Sequence, residues 1–367
     1  MGPIRRVLAS KPVATLTSPH SIDHYLEHIH PLWTAEAVRA RVVGVDRETG
    51  AASTVWLKPN GAWQGFVPGQ HVEFGVEVDG VRRVRVFSVS SSPLRTDGIF
   101  SVSVKAHPDG FVSQFLHGGR LAERTIIHLS QAQGDFVLPT QVPDHIALVS
   151  GGSGITPVMS MLRSLTDPRR ATPHTGRITF LHYARSRSDE MFSDELDQLA
   201  EHPQVDLVRV HTREPVPGAA LQGRFLLDHL NRLGVDPRTT PTWVCGPAGL
   251  IATVRYTYAE LGASDQLTME YFKVPTIDLN AEDATGTTTF EASGTFLANS
   301  GATILEQAEE AGLTPEYGCR MGVCNTCAVK KLHGAVRHVI TGEVSANTDE
   351  TIKVCVSVPV GDVAMDL

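Results

Sequence analysis

Apolar and polar positions divide this chain into stretches of different texture. From Val38 to about Pro139, apolar residues recur at every second position in short runs: RARVVGV, STVWLKP, QHVEFGVEV, RRVRVFSVS and IFSVSVK. Turn-forming clusters such as PNG, VPG and VDG separate them. Alternation of this kind turns one side of each segment to a core and the other to water, and several short strands so spaced predict an antiparallel β-barrel. One short helix, FVSQFLH, breaks the pattern and stops at Gly118-Gly119.

From His145 the pattern changes. HIALVS is a continuous apolar run, GGSGITP follows it, and VMSMLRSL has helical spacing. RITFLHYA is followed by the helical DEMFSDELDQLA, then VDLVRVHT, then TWVCGPAGL and the helical IATVRYTYAEL. Strands alternating with helices predict a parallel, doubly wound α/β sheet. VPTIDLNAEDATGTT is polar and suits a linker. Beyond it, TTFEASGTF has the texture of a hairpin and GATILEQAEEAG that of a helix ending at Gly312. Upstream, Ser18-Pro19 and HSIDHYLEHI read as a short capped helix. The expected organisation is multidomain: an N-terminal extension (1–35), a β-barrel (36–140), an α/β domain (141–273), a linker (274–285) and a C-terminal domain (286–367). No internal repeat is visible.

Composition narrows the class. A chain of 367 residues exceeds one ordinary domain, and 41% hydrophobic with 20% charged residues is ordinary for a soluble globular protein. No run approaches the roughly 18 apolar residues of a membrane span. The first residues lack the apolar core of a secretory signal, so a cytoplasmic protein is expected. A net charge of −8 counts against nucleic acid as a partner. His20, His24 and His28 recur at helical spacing, but nothing beside them completes a metal site, and a solvated polar face is the simpler reading.

The cysteines carry the sharpest chemistry. Cys319-x4-Cys324-x2-Cys327, then 27 residues to Cys355, has the plant-type spacing for a [2Fe–2S] cluster. Gly318 and Gly322 let the loop backbone approach the metal, and Asn325, Thr326 and Ala328 keep its edge small. A four-cysteine zinc site is the alternative, although structural zinc usually shows two Cys-x2–4-Cys knuckles rather than three ligands in one loop.

GGSGITP between a strand and a helix suits a phosphate. Gly152 and Gly154 permit a tight turn and close approach, the helix N-terminus adds partial positive charge, and Thr156 and Pro157 open the helix. Arg185 and Arg187 follow the next strand with no acid there for a ribose hydroxyl, and Thr212-Arg213 end the strand after that. Cys245 and Gly246 lie at the end of another strand.

Taken with their order, these segments resemble known families. PEYGCRMGVCNTCAVKKLHGAV and KVCVSVPVGDV resemble the plant-type ferredoxin domain, which implies an α+β, β-grasp fold with Cys319, Cys324, Cys327 and Cys355 as cluster ligands. The glycine–proline loop, Thr212-Arg213 and the Cys-Gly-Pro turn resemble the NAD(P)-binding half of the ferredoxin–NADP reductase superfamily. RVFSVSS and DGFVSQFL resemble its flavin half. The resemblance implies that Arg85 pairs with flavin phosphate, Ser88 meets the flavin's reactive edge, and Gly110 with Ser113 approach the pyrophosphate. Phe87 stands where that family usually has tyrosine. It further implies that Gly152, Gly154, Thr156 and Pro157 hold nucleotide pyrophosphate and that Arg185, Arg187, Thr212 and Arg213 favour NADPH over NADH. Cys245, Gly246 and Glu270 would lie beside the nicotinamide, with Phe272 stacked on the flavin. The implied path runs from NADPH through FAD to the [2Fe–2S] cluster and on to a redox acceptor protein. The PLW segment before the barrel and HPDGFVSQFLH are similar to bacterial reductases of membrane fatty-acyl desaturases, so membrane contact would come through the partner. Reductases of Rieske and cytochrome P450 type oxygenases are the alternative, and a redox sensor is a third reading. The C-terminal domain carries five Lys and Arg against ten Asp and Glu, so over half of the net charge lies there.

Overall fold

The computed structural model describes residues 8, 10–18, 20–78, 81–108, 110–214, 221–272, 284–318, 320, 322 and 325–367. The chain forms two compact units, Met1–Glu270 and Tyr271–Leu367.

In the first unit, β1 (Val38–Thr49), β2 (Ala52–Pro59), β3 (His71–Val78), β4 (Val81–Ser88), β5 (Phe100–Lys105) and β6 (Ile126–Leu129) form one sheet in the order β4-β3-β6-β1-β2-β5. Every pairing in it is antiparallel. Alternate side chains, among them Val55, Leu57, Val72, Phe74, Val76, Val102 and Ile127, fill a common core. An isolated antiparallel bridge, Val89 to Val102, joins the chain just past β4 to the opposite edge strand, β5. The helix Phe111–His117 lies where FVSQFLH predicts it, and Gly119 beyond its end has φ +75°. β6 has no counterpart in the sequence reading, because four residues show too little alternation to stand out.

The second sheet contains β7 (His145–Gly151), β8 (Arg177–Ala184), β9 (Val205–His211), β10 (Thr242–Gly246) and β11 (Leu267–Tyr271), in the order β11-β10-β7-β8-β9. The β10–β7, β7–β8 and β8–β9 pairs are parallel. The helices Ile155–Leu165, Ser193–Ala200 and Ala248–Glu260 follow β7, β8 and β10. The middle helix starts later than DEMFSDELDQLA suggests, because Phe192 sits in the left-handed region at φ +61°. A further short helix, Leu227–Arg232, is absent from the sequence reading.

Among the described residues, the N-terminal extension includes the helices Lys11–Thr17 and Ile22–Ile29. Ser18 ends the first instead of capping the second, and Ser21, at the start of the second, makes no side-chain capping bond. Buried Asp23 fastens this segment. Its carboxylate accepts the backbone N–H groups of Ala35, of Glu36 (3.3 Å) and of Ala37 (2.9 Å). Glu27 pairs with Arg39 at the start of β1. The His20 ring stacks on His24 at a centroid distance of 4.5 Å, and the His24 and His28 rings lie tilted to one another at 4.8 Å, all three residues exposed.

The second unit holds β12 (Thr287–Phe290), β13 (Thr295–Ala298), β14 (Ala328–His338), β15 (Val344–Ser345), β16 (Glu350–Lys353) and β17 (Ser357–Met365). The sheet order is β13-β12-β17-β14-β15, with β16 also paired to β14. β12 and β17 are parallel, and the other pairs are antiparallel. The helix Ile304–Glu310 is closed at its start by a reciprocal capping box between Thr303 and Glu306. Its Ile304, Leu305 and Ala308 pack in the core with Phe290, Val354, Val356 and Met365.

Three backbone donors depend on one carboxylate at Asp23. Asp23→Ala leaves them without it and is expected to destabilise the first unit by about 1–3 kcal/mol, read as a lower denaturant midpoint. An unchanged midpoint would show that Asp23 does not anchor the extension.

Candidate functional site

The centre of the site is the close approach of two strand ends. β7 and β10 run parallel with Ser150 opposite Cys245, so the turns that follow them meet. A Cβ on Gly154 would lie 2.3 Å from the Cys245 carbonyl oxygen and 2.5 Å from Gly246 Cα. A Cβ on Gly151 would meet Pro247 Cδ at 2.9 Å, and Gly152 adopts φ +54°. Glycine is therefore required by contact at 151 and 154 and by conformation at 152. The helix beginning at Ile155 starts directly from this loop, and Thr156 is buried with its hydroxyl donating to Ser153 O at 3.1 Å. Pro157 is buried in the first turn. The loop leaves a backbone cradle at a helix N-terminus, the geometry that suits a phosphate.

Beside it, three side chains from distant parts of the sequence converge. Ser88 ends β4 opposite His71 in the β3–β4 ladder. His71 Nδ1 lies 3.4 Å from Glu270 Oε1 on β11. Cys245 is completely buried, and burial followed by the nearby Glu270 charge push its thiol well above the ordinary cysteine value. Burial also raises the Glu270 carboxyl, against the opposing pull of His71. Ser88 Oγ, His71 Nε2 and Glu270 Oε2 are enclosed without a hydrogen-bond partner among the described residues. Such atoms cost about 1–3 kcal/mol each when left unmade, so they mark a place where a polar-edged ligand fits. His71 escapes a sequence reading, since only the ladder register brings it to Ser88 and Glu270.

Of the remaining flavin candidates, Arg85, Phe87, Gly110 and Ser113 lie in the first unit. Arg85 is exposed, its Nη1 donating to Val84 O at 2.8 Å, which leaves most of the guanidinium in solvent. Phe87 packs edge-on against Phe74 at 5.6 Å and is half-buried. Ser113 Oγ accepts the His107 N–H and donates to Gly110 O at 2.9 Å, closing the turn that leads into its helix. Phe272 is half-buried and belongs to the second unit, two residues past Glu270.

Of the four residues read as a 2′-phosphate set, two come together. Arg185 and Arg213 line a pocket of about 380 Å³ with Ser186, Ser188 and the acids Asp189 and Glu214; Asp189 pairs with Lys105, and among the described residues no ion pair ties either guanidinium to a carboxylate. Arg213 N donates to Arg185 O at 2.9 Å, which holds the two strand ends side by side. Arg187 is engaged elsewhere, paired with Asp197 at 2.7 Å. The Thr212 hydroxyl donates to Ala184 O at 3.1 Å and braces the strand end.

Cys327 and Cys355 are buried in the core of the second unit with their sulfurs 3.1 Å apart. That separation exceeds a disulfide bond and places two thiols side by side, a donor arrangement that fits iron. Gly322 has φ +76°, and a Cβ there would strike Val356 Cγ1 at 2.9 Å. Lys353 Nζ donates to Gly322 O. Asn325 and Arg320 also adopt left-handed conformations, at φ +59° and +56°. Cys319 and Cys324 lie outside the described residues.

Next to the glycine loop, His182 on β8 is fully buried and its Nδ1 shares a 2.7 Å hydrogen bond with Ser150 Oγ. Burial holds its imidazole at a pKa of about 4, below the ordinary 6.5. Below pH 6.5 the unfolded chain binds a proton that the folded chain refuses. Stability is therefore expected to fall as pH drops from 6.5 toward 4, by up to about 1.4 kcal/mol per pH unit from this group. Denaturant midpoints measured across that range should show a shallower slope in His182→Asn. Parallel slopes would refute the assignment.

Three family models match successive parts of the chain. The oxidoreductase FAD-binding domain matches residues 53–137, the oxidoreductase NAD-binding domain 148–256, and the 2Fe-2S iron-sulfur cluster binding domain 290–360. The chain is 38% identical over 362 residues to an NADPH oxidoreductase of Mycobacterium tuberculosis, covering 97% of this chain and 91% of the relative. It is 29% identical over 363 residues to the glycine betaine monooxygenase reductase subunit of Chromohalobacter salexigens, covering 91% and 96%. Among solved structures, phthalate dioxygenase reductase aligns with a TM-score of 0.58 at 22% identity, over 90% of this chain and 98% of that one. At that identity the likeness speaks to the fold.

Proposed function

The chain belongs to the FAD- and NAD-binding reductases with a C-terminal [2Fe–2S] domain, within the ferredoxin reductase superfamily, and we propose that it uses NADPH to supply an oxygenase component. It is an NAD(P)H:acceptor oxidoreductase that passes electrons through FAD and [2Fe–2S] to an acceptor protein. A bound flavin supplies the conversion between a two-electron hydride donor and a one-electron cluster.

The observation that carries the residue assignment is the enclosed group of Ser88, Cys245 and Glu270 with its unpartnered polar atoms. In this reading Ser88 and Glu270 hold the polar edge of the isoalloxazine. Cys245, uncharged and buried, forms an apolar wall for the nicotinamide and admits no competing water. Arg85 meets the flavin phosphate, Phe87 packs the ring system, Gly110 and Ser113 shape the loop near its pyrophosphate, and Phe272 is the stacking ring. Gly152, Gly154, Thr156, Pro157 and Gly246 form the nucleotide phosphate cradle. Cys319, Cys324, Cys327 and Cys355 hold the cluster. We read the domains as 36–140, 141–273 and 286–367. The Val89–Val102 bridge supports a closed barrel in the first, and the parallel β12–β17 pair with its packed helix supports a β-grasp in the last.

The preference for NADPH rests on the pocket that holds Arg185 and Arg213 with two serine hydroxyls. Two guanidinium groups that Asp189 and Glu214 of the same lining leave unpaired among the described residues suit a dianionic phosphate and gain nothing from a hydroxyl. Arg187 and Thr212 contribute through Asp197 and through the strand end. The double variant Arg185→Ala/Arg213→Ala is expected to raise KM for NADPH at least about tenfold, with KM for NADH changing less than about twofold. Equal effects on both nucleotides would remove these arginines from specificity.

For the acceptor, the relatives' names favour an oxygenase component over the fatty-acyl desaturase suggested by the N-terminal region. One relative is a glycine betaine monooxygenase reductase subunit, and another is the ferredoxin reductase component of a 3-ketosteroid-9-alpha-monooxygenase. Reconstitution with purified candidate acceptors tests this. Substrate-dependent oxygen consumption with an oxygenase is the expected result, and coupling only to a desaturase would overturn it. In the same assay, Cys355→Ser is expected to abolish acceptor reduction while NADPH-dependent ferricyanide reduction persists.

A further inference from the structure

His71 is buried to 3% exposure on the face of β3 opposite the one that turns Val72, Phe74 and Val76 to the barrel core. Its backbone is locked on both sides, the N–H donating to Gln133 O at 2.9 Å and the carbonyl accepting from Gln133 N at 3.0 Å. Its ring lies against Gly134, where a Cβ would come within 2.8 Å of Cε1 and Nδ1. Backbone pairing and a glycine therefore fix both the place and the direction of the imidazole. Nδ1 faces Glu270, which lies 199 residues away in sequence. Ser88 is its ladder partner. Five buried side-chain polar atoms lack a partner among the described residues, and three of them belong to His71, Ser88 and Glu270.

We propose that His71 is the positioning residue for Glu270: its Nδ1 holds one carboxyl oxygen so that Glu270 Oε2, His71 Nε2 and Ser88 Oγ present one continuous polar edge. This rests on reading Ser88, Cys245 and Glu270 as the hydride-transfer site. The chemical need is plain. A carboxyl enclosed beside a buried thiol and without a donor would drift to the neutral form and lose its orientation. A single imidazole donor opposes that drift and keeps the carboxyl oriented. The titratable groups that face Glu270 are His71 on β3 and Cys245 on β10, and the second adds no charge while it remains a thiol.

The test uses the full chain, with and without FAD. Carbon-13 NMR of the Glu270 carboxyl, assigned with Glu270→Gln, gives its titration midpoint in flavin-free protein. His71→Leu is expected to move that midpoint up by about one pH unit or more, and His71→Gln, which keeps an N–H donor, to recover at least half of the change. In FAD-loaded protein, the pH profile of NADPH-dependent ferricyanide reduction is expected to shift in the same direction. A folded His71→Leu protein with an unmoved carboxyl overturns the proposal. Should His71→Leu fail to fold, the nitrogen-15 resonance of His71 Nδ1 decides the matter. It is expected to move in Glu270→Gln, and an unchanged resonance overturns the pairing. If the carboxyl shift holds but Glu270→Gln reduces ferricyanide as the wild type does, the pairing stands and the hydride-site reading fails.

Discussion

At the carboxyl ends of β7 and β10 the backbone turns pass so close that positions 151 and 154 cannot carry a methyl group, and the chemistry of the first unit is arranged around that contact. Parallel pairing of Ser150 with Cys245 sets the separation. Proline 247 and the helix at Ala248 then lead the chain away on one side, and the helix at Ile155 leads it away on the other. Gly151 and Gly154 are buried in that contact, and the half-buried backbone of Gly152 and Ser153 is the part of the loop that a phosphate can approach. The thiol of Cys245 is buried by the same packing, so its inertness follows from the contact and needs no separate device.

Two buried polar groupings in the first unit show opposite accounting of hydrogen bonds. Glu190 has no exposed side-chain surface, and the Arg209 guanidinium satisfies it. Burial is the largest influence and works to raise the Glu190 carboxyl, but the hydrogen bonds from Arg209 and the attraction of the basic groups around it together hold the group below its ordinary value. Arg209 extends the network to Asp197, which also takes Arg187. Such a closed network braces the end of β9. His71, Ser88 and Glu270 are left open, each with one enclosed polar atom that has no partner among the described residues. Structures seldom retain that cost without a use, and the contrast separates scaffold from site.

Much of the fold was legible because its signals are local. Strand alternation, the two glycine-rich ends and the cysteine spacing each sit within a few residues, and β8 runs from Arg177 to Ala184, the full extent of RITFLHYA. What was missed depends on partners far along the chain. β6 is four residues long and exists through pairing with β1 and β3. The helix Lys11–Thr17 contains Val and two Thr, weak helix formers, and contacts within its own unit support it. Arg187 was correctly placed at a strand end, but Asp197, which engages it, comes from the following helix. His71 reads as one more residue of a strand until the register is known. Local chemistry can be read from spacing; chemistry made by tertiary contact cannot.

Both units are carried on one polypeptide, and this has a kinetic consequence. Delivery from the first unit to the second is unimolecular, at an effective concentration of about the millimolar range that short tethers give. Dilution of the protein leaves that transfer untouched. Only the encounter with the outside acceptor scales with abundance, so the thirteen acidic against six basic residues of the second unit bear on the one step that diffusion and ionic strength control.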